Sequence, residues 1–212
     1  MKTGDLIRAL AADSEVHPMP PGRALALALV PGVAIALGFH FAILGLRPHL
    51  LTLLGDPRLL FKLCLTVLLV ALSARLVLRI ARPGAGMRRA ALMLAIVPAL
   101  LAAANVAELL AVPATEWGQR LVGTNAISCL MSIPFLAAAP LVAALLALRQ
   151  GAPEHPALAG AAAGLFAGAI GAGCYATHCP DDSPLFVAAW YTLAIGIVAA
   201  IGATAGRRLL RW

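Results

Sequence analysis

Four cysteines are the residues of this chain best suited to chemistry, and one of them stands in a polar run, His178-Cys179-Pro180-Asp181-Asp182. An imidazole beside a thiol can lower the pKa of that thiol, and the thiolate is the form that reacts with oxidants and binds soft metals. The two aspartates oppose thiolate formation, although their oxygen atoms can also serve as ligands. The run therefore indicates a redox-active or metal-binding thiol, with His178 and Cys179 as candidate ligands.

The composition indicates what kind of protein must position these residues. Hydrophobic residues make up 62% of the 212 residues and charged residues 12%, whereas a soluble domain carries about 45–50% apolar and about 25% charged residues. This composition excludes a water-soluble enzyme and a disordered regulator. The net charge of +7 comes mostly from arginines between apolar blocks, a pattern that sets membrane topology rather than binding nucleic acid. The sequence therefore predicts an integral membrane protein that contacts lipid and makes no direct contact with nucleic acid.

Six apolar stretches between charged residues are long enough to cross a bilayer, which takes roughly 20 residues. The sequence thus predicts an all-α integral membrane bundle of six transmembrane helices, formed by residues 23–212 and preceded by a polar segment, 1–22. The second stretch contains Lys62 and Arg75, which lie near its opposite ends, where long side chains can reach the interface. The predicted spans are about 24–46, 59–80, 90–112, 124–148, 156–177 and 184–206.

The distribution of cations predicts the orientation. If the N-terminus is cytoplasmic, all Lys and Arg residues except four flank the inner ends of the spans; the four are Arg47, Arg58, Lys62 and Arg120. This bias predicts a cytoplasmic N-terminus, and an even number of spans places the C-terminus in the cytoplasm as well. The loops are short, as in 47–57 and 113–120, and the sequence carries no nucleotide-binding loop, zinc-protease helix or hydrolase triad. We therefore predict neither catalysis nor a bound cofactor.

With this orientation, all four cysteines fall in the outer half: Cys64, Cys129, Cys174 and Cys179. Their spacing is not Cys-x-x-Cys, so the sequence does not favour a dithiol redox enzyme. Thiols that face an oxidising compartment can form a disulfide. We favour Cys129 with Cys179, because the start of span four and the last outer loop lie at similar depth. Whether they reach the Cα separation of about 4.4–6.8 Å that a disulfide needs is left open by the sequence. Cys129 is also the third candidate metal ligand.

Glycines at four-residue spacing in the fifth span, Gly160, Gly164 and Gly168, form a smooth stripe on which another helix can lie closely. The sixth span carries Gly202 and Gly206 at the same spacing. No Gly-Lys-Ser/Thr sequence follows the stripe, which argues against a phosphate-binding loop. We therefore predict that the glycines serve helix packing.

The polar segment 1–22 has an apolar side of its own. Leu6, Ile7 and Leu10 cluster on one face of a short predicted helix, with Thr3 as a plausible N-cap. An apolar face in an exposed tail needs something to cover it, so these three are candidate partner-docking residues. An ordinary solvated leader is an equally weighted alternative.

Several segments of the chain resemble the NrsF family. They are the opening Met1–Ile7, Leu46-Arg47-Pro48 and, most specifically, His178–Phe186 followed by Trp190-Tyr191-Thr192. The resemblance implies a multi-pass protein of the bacterial inner membrane that is a negative regulator of an extracytoplasmic-function sigma factor. It implies that the protein holds this partner at the membrane and releases it under heavy-metal or oxidative stress. The sensor cysteines of the family fall on Cys129 and Cys179, whereas Cys64 and Cys174 receive no role.

This resemblance implies a two-state mechanism in which oxidation or metal capture at outer thiols lowers the affinity of the cytoplasmic face for its partner. Changing a 99:1 bound population to 1:99 requires about 5.5 kcal/mol, which a disulfide or a soft-metal chelate can supply. The candidate binding surfaces are residues 1–22 and the arginine-rich loop 79–89.

A small transporter or a thiol-redox membrane enzyme is the competing function. It would use His178 and Cys179, together with Glu108 at the outer end of the third span. Lys62 and His40 are also predicted in the outer half of the membrane, at a depth where they could pair with Glu108. An interfacial carboxylate is the simpler interpretation of Glu108, because it lies only about one helical turn from the predicted surface. The sequence places no charge near the centre of a span, which argues against a proton-coupled transporter.

Overall fold

The computed structural model describes residues 3–5, 7–8, 20–53, 55–82, 84, 86–151 and 153–211. In these ranges the regular structure is all helical, and six helices are long and apolar enough to cross a membrane. The predicted all-α class and the six apolar helices are thus confirmed, with bounds within a few residues of those expected except at the fourth helix. The six run Gly22–Leu44, Pro57–Ile80, Arg88–Ala111, Ala114–Arg149, Pro156–Ala176 and Pro184–Leu209, and we call them spans one to six.

Local sequence signals account for where several spans begin. Spans two, five and six start with a proline, whose fixed φ suits the first helical position and whose missing N–H is not needed there. Asp56 precedes span two and accepts a hydrogen bond from the N–H of Arg58 at 2.8 Å. Ser183 precedes span six and accepts one from the N–H of Leu185 at 3.2 Å. These two caps satisfy first-turn amides, which have no acceptor within their own helix.

Spans one, three and six each deviate from a continuous α-helix. Span three breaks at Ala95 into Arg88–Leu94 and Ile96–Ala111, because the ring of Pro98 clashes with a helical carbonyl four residues earlier. Spans one and six each contain one π-helical turn, at His40–Leu44 and at Val187–Tyr191.

Span four has two parts. Residues 113–120, which the sequence predicts as loop, lie mostly in a short helix, Ala114–Val122. A turn at Gly123 separates this helix from the long helix Ala126–Arg149. The prediction of a loop was wrong because the segment is amphipathic rather than uniformly apolar, so it lacks the signal that identifies a span.

Span five occupies the centre of the bundle and packs against spans two, four and six. Its buried face is mostly alanine and glycine, and the predicted role of the glycine stripe in packing is confirmed. A Cβ atom added to Gly160 would lie 2.1 Å from the carbonyl oxygen of Gly202, and one added to Gly164 would lie 2.4 Å from that of Val198. Only glycine lets these two backbones approach so closely.

The buried residues form two clusters, one toward each end of the bundle. One contains Ile80, Ala90, Leu148 and Leu210, at the ends of spans that carry most of the arginines, and we call this the arginine end. The other contains Cys129, Cys179, Tyr175, Tyr191 and Phe186, and we call this the cysteine end. The fold thus separates most of the span-flanking arginines from the two buried thiols by the length of the helices.

Candidate thiol site

The connection between spans five and six, residues 177–183, lies at the cysteine end and bonds to residues of all four other spans or of the turns beside them. Toward span one, Thr177 Oγ1 lies 3.2 Å from His40 Nε2, and the carbonyl of Thr177 accepts a hydrogen bond from the N–H of Arg47 at 3.1 Å. The contacts to spans two, three and four are made by Cys179, Asp181, Asp182 and Ser183. We call residues 177–183 the hub loop.

Lys62 of span two binds the hub loop from inside the bundle. Its side chain is 0% exposed, and its ammonium donates hydrogen bonds to the carbonyls of Cys179 at 2.8 Å and Asp181 at 3.3 Å. It also forms an ion pair with Asp182 Oδ1. Two carbonyl oxygens thus accept hydrogen bonds from the ammonium, and the carboxylate of Asp182 balances its charge, as a buried charge requires.

Asp182 binds a second cation, Arg47, which follows span one. The distance from Arg47 Nη1 to Asp182 Oδ2 is 2.7 Å, and both side chains are nearly buried. Arg47 Nη1 also lies 3.4 Å from the carbonyl oxygen of Cys179. The main chain of Cys179 and the carboxylate of Asp182 are therefore held by cations from two different spans.

Asp181 binds the residues immediately before the long helix of span four. Its carboxylate accepts hydrogen bonds from the N–H of Thr124 at 3.1 Å, the N–H of Asn125 at 2.9 Å and the side-chain amide of Asn125 at 3.0 Å. The adjacent Gly123 has φ of +60°, and a Cβ atom there would lie 2.5 Å from the ring of Phe186. This turn therefore requires glycine.

Glu108 connects span three to the start of span six. Its carboxylate accepts hydrogen bonds from Ser183 Oγ at 2.7 Å and from the N–H of Leu185 at 3.3 Å. It also pairs with Arg120 at 3.3 Å and Arg58 at 3.8 Å. The sequence-based pairing of Glu108 with Lys62 or His40 is therefore wrong, because the hub loop occupies both of those side chains. A carboxylate paired in this way does not favour a transporter that uses Glu108 to carry protons.

The side chains of Cys129 and Cys179 are 0% exposed, and both thiols are free. They belong to one packed cluster with Tyr175 and Tyr191, whose hydroxyls have no hydrogen-bond partner among the described residues. Hydrogen bonds explain the placement: the N–H of Cys129 binds the carbonyl of Asn125 at 2.8 Å, and Asn125 binds Asp181. The contact between Asn125 and Asp181 therefore lies close to both thiols: Cys129 is one helical turn after Asn125, and Cys179 is two residues before Asp181.

Burial raises the pKa of the Cys179 thiol above its ordinary value, and the nearby Lys62 ammonium partly opposes that shift. The sequence indicated a pKa lowered by His178, but the imidazole Nδ1 of His178 lies 3.1 Å from the carbonyl oxygen of Gly45, near the end of span one. At neutral pH Cys179 is therefore a protected thiol.

A three-ligand metal site is not assembled in this state: in the part of the chain that the structure describes, no three His, Cys, Asp or Glu side chains are grouped to hold a metal. Cys129 and Cys179 share a cluster, whereas His178 contacts span one. Two thiolates remain a donor set that suits soft metals.

The two other cysteines differ in environment. Cys64 is exposed, and Cys174 is half-buried at the edge of the thiol cluster. Of the candidate docking residues, Leu6 and Leu10 lie outside the described residues. Ile7 is described and is 62% exposed, in a helical stretch.

Sequence reasoning did not find the main contacts of the hub loop. Lys62 pairs with Asp182 across 120 positions, and Asp181 binds Asn125 across 56. A charged residue within an apolar span was the one signal available for Lys62, because such a residue usually has a partner. Nothing in the sequence indicated that the partner of Lys62 was Asp182.

Residues 10–212 match the model of a protein family described as NrsF, negative regulator of sigma F. The chain is 38% identical over 215 residues to the anti-sigma-F factor NrsF of Caulobacter vibrioides, and the match covers all of both chains. It is 35% identical over 213 residues to a probable anti-sigma-F factor NrsF of Azospira oryzae, again over all of both chains. No solved structure matches the chain.

Proposed function

The chain belongs to the NrsF family of negative regulators of sigma F, a regulatory family rather than an enzyme family, and on that premise we propose a specific mechanism. The protein is a multi-pass anti-sigma factor of the bacterial inner membrane. It sequesters an extracytoplasmic-function sigma factor related to sigma F, and it releases this partner when Cys129 and Cys179 respond to heavy-metal or oxidative stress.

The proposed orientation places both termini and the arginine end in the cytoplasm. The span-flanking arginines there are exposed, and none forms an ion pair within the described ranges; examples are Arg79, Arg88, Arg149 and Arg207. By contrast, the cations at the cysteine end are all paired with carboxylates. Unpaired cations on one side favour that side as cytoplasmic, where anionic lipid and a protein partner are available.

The observation that carries the sensing proposal is the burial of two free thiols in one cluster, where Cys179 belongs to a loop that is bonded to the other spans. Oxidation would join the two sulfur atoms, with two protons released and two electrons passed to the oxidant. A soft metal ion would instead replace the two thiol protons. Either event fixes the two sulfur positions and favours a different arrangement of the hub loop.

The protected state of Cys179 fits a stress sensor. A thiol of raised pKa that is inaccessible to water reacts slowly with weak oxidants. Only a strong oxidant or a metal of high thiol affinity would convert the pair at a useful rate. We propose that this threshold separates stress from the normal oxidising condition of the periplasm.

The cytoplasmic partner surface is proposed to include the apolar face of the N-terminal segment, with Leu6, Ile7 and Leu10. The exposure of Ile7 in a helical stretch supports this proposal, because an uncovered apolar side chain gains free energy when a partner buries it.

The test uses Cys129→Ser and Cys179→Ser, singly and together, with Cys64→Ser as the matched control. Membranes with each variant and the sigma factor are treated with diamide or Hg²⁺, and the sigma factor that co-purifies in mild detergent is quantified. We expect treatment to release the partner from the wild type and from Cys64→Ser, and not from variants at the thiol pair. Normal release from the double variant would disprove thiol sensing, and absence of the sigma factor from the untreated wild type would disprove sequestration.

A further inference from the structure

We propose that Lys62, through Asp182 and Arg47, is a positioning residue of the thiol pair: it holds the hub loop over Cys129 and connects the loop to spans one and two. The geometric part of this proposal is independent of sensing. The regulatory part, in which displacement of this ion bridge releases the partner, rests on the proposed function.

The burial of Lys62 is the first observation. A lysine in a membrane helix normally extends its ammonium to the interface, whereas this side chain is 0% exposed and lies under the hub loop. Its ammonium is 6.0 Å from the centre of the Tyr191 ring, which belongs to the thiol cluster. Because a buried ammonium is costly unless its donors are satisfied, the loop must stay in place for Lys62 to stay buried.

The second observation is that the acceptors of Lys62 belong to the residues that set the thiol. The carbonyl oxygen of Cys179 lies 2.8 Å from Lys62 Nζ and 3.4 Å from Arg47 Nη1, so two cations hold the backbone of the sensing residue. Displacement of Cys179 would weaken both contacts. Asp182 is shared by the same two cations, so these contacts are expected to loosen together.

The third observation concerns transmission to the helices. Arg47 lies three residues after the end of span one, and its N–H donates a hydrogen bond to the carbonyl of Thr177 at 3.1 Å. Lys62 lies on span two, whose far end carries Arg79 at the arginine end. A change at Cys179 therefore acts on two helices that extend to the opposite end of the bundle, and such helices can carry a change from one end to the other.

The test of positioning is hydrogen–deuterium exchange of the full chain in nanodiscs, followed by mass spectrometry. Three variants are compared with wild type: Lys62→Met, Asp182→Asn and the double variant. Ser73→Ala is the matched control, because Ser73 is a buried polar residue of the same span that bonds only to carbonyls of its own helix.

We expect peptides that contain 177–183 and 124–125 to exchange about tenfold faster in both single variants. Exchange in the centres of spans five and six should stay as in wild type. The double variant should exchange no faster than Asp182→Asn alone, because both single changes remove the same Lys62–Asp182 contact. In the double variant Lys62→Met also removes the ammonium that Asp182→Asn alone leaves without its carboxylate. Unchanged exchange in the loop, or an equal increase in all spans, would overturn the proposal.

The regulatory part is tested by adding Lys62→Met to the Cys129→Ser/Cys179→Ser background. If displacement of the ion bridge is the step that follows the thiol reaction, the amount of sigma factor that co-purifies with this triple variant, without any stress, should be about tenfold lower than with the cysteine double variant. Undiminished retention would overturn the regulatory part. A failure of thiol sensing would appear separately, as normal release from the cysteine double variant, and the exchange experiment would still decide whether Lys62 positions the loop.

Discussion

Asp181 accepts a hydrogen bond from the backbone N–H of Asn125 at 2.9 Å, and this contact joins the two segments that carry the buried thiols. Cys179 lies two residues before Asp181, and Cys129 lies one helical turn after Asn125. A loop and a helix that are far apart in sequence thus present their thiols to the same cluster. This contact stabilises the cysteine end of the bundle and also holds the two thiols in one cluster.

Asp181→Ala should therefore lower stability. The variant loses hydrogen bonds from two backbone amides and one side-chain amide. We expect a loss of about 1–3 kcal/mol, because amides bound to a charged acceptor lose more than neutral pairs. Thermal denaturation in detergent, followed by circular dichroism, measures it. Asp181→Asn retains one acceptor oxygen and should lie between wild type and alanine; equal midpoints for all three would contradict the role of the carboxylate.

Gly123→Ala should also destabilise the cysteine end. An alanine there must adopt φ of +60° and would place its Cβ atom 2.5 Å from the Phe186 ring. Backbone strain and overpacking together should cost about 2–4 kcal/mol. Gly118→Ala is the control, because Gly118 is helical and has nothing within 4 Å of its position. That variant should match or exceed the wild-type melting temperature, and a fall equal to that of Gly123→Ala would contradict this explanation.

The spans were predictable from sequence because each must be continuously apolar over its own length, which is a local property. The placement of most arginines at the end opposite the cysteines followed from the same pattern, whereas the burial of two thiols did not. The pairing of Lys62 with Asp182 was not predictable, since it depends on how span two packs beneath a loop 120 positions away. Likewise Glu108 was assigned to the wrong cations, because depth in the membrane does not determine which helix faces which.

The ionisation of Cys179 makes its alkylation pH-dependent. Burial raises the pKa of this thiol, so its thiolate fraction at pH 8 should be smaller than that of an ordinary cysteine, whose pKa is about 8.5. The rate of N-ethylmaleimide alkylation should therefore reach half of its maximum at a higher pH than that of glutathione. The raised pKa also means that stability decreases as pH rises above about 8.5, where the unfolded thiol loses its proton first. Peptide mass spectrometry of Cys179 gives the rate, and a midpoint at or below that of glutathione would contradict the protected state.

Glu108→Gln tests whether this carboxylate connects span three to span six through its charge. The glutamine can still accept the hydrogen bond from Ser183, whereas the ion pairs with Arg120 and Arg58 are lost. Because both arginines are partly exposed and can be hydrated, we expect a loss of only about 1–2 kcal/mol in unfolding free energy.

Glu116→Gln is the matched control: Glu116 pairs with the same Arg120 but is itself exposed, so that change should cost about 0–1 kcal/mol. Denaturation in detergent at low and high salt measures both. The Glu108 effect should persist at high salt, because its side chain is only 3% exposed, and an effect that disappears with salt would show that the pairing is a surface interaction.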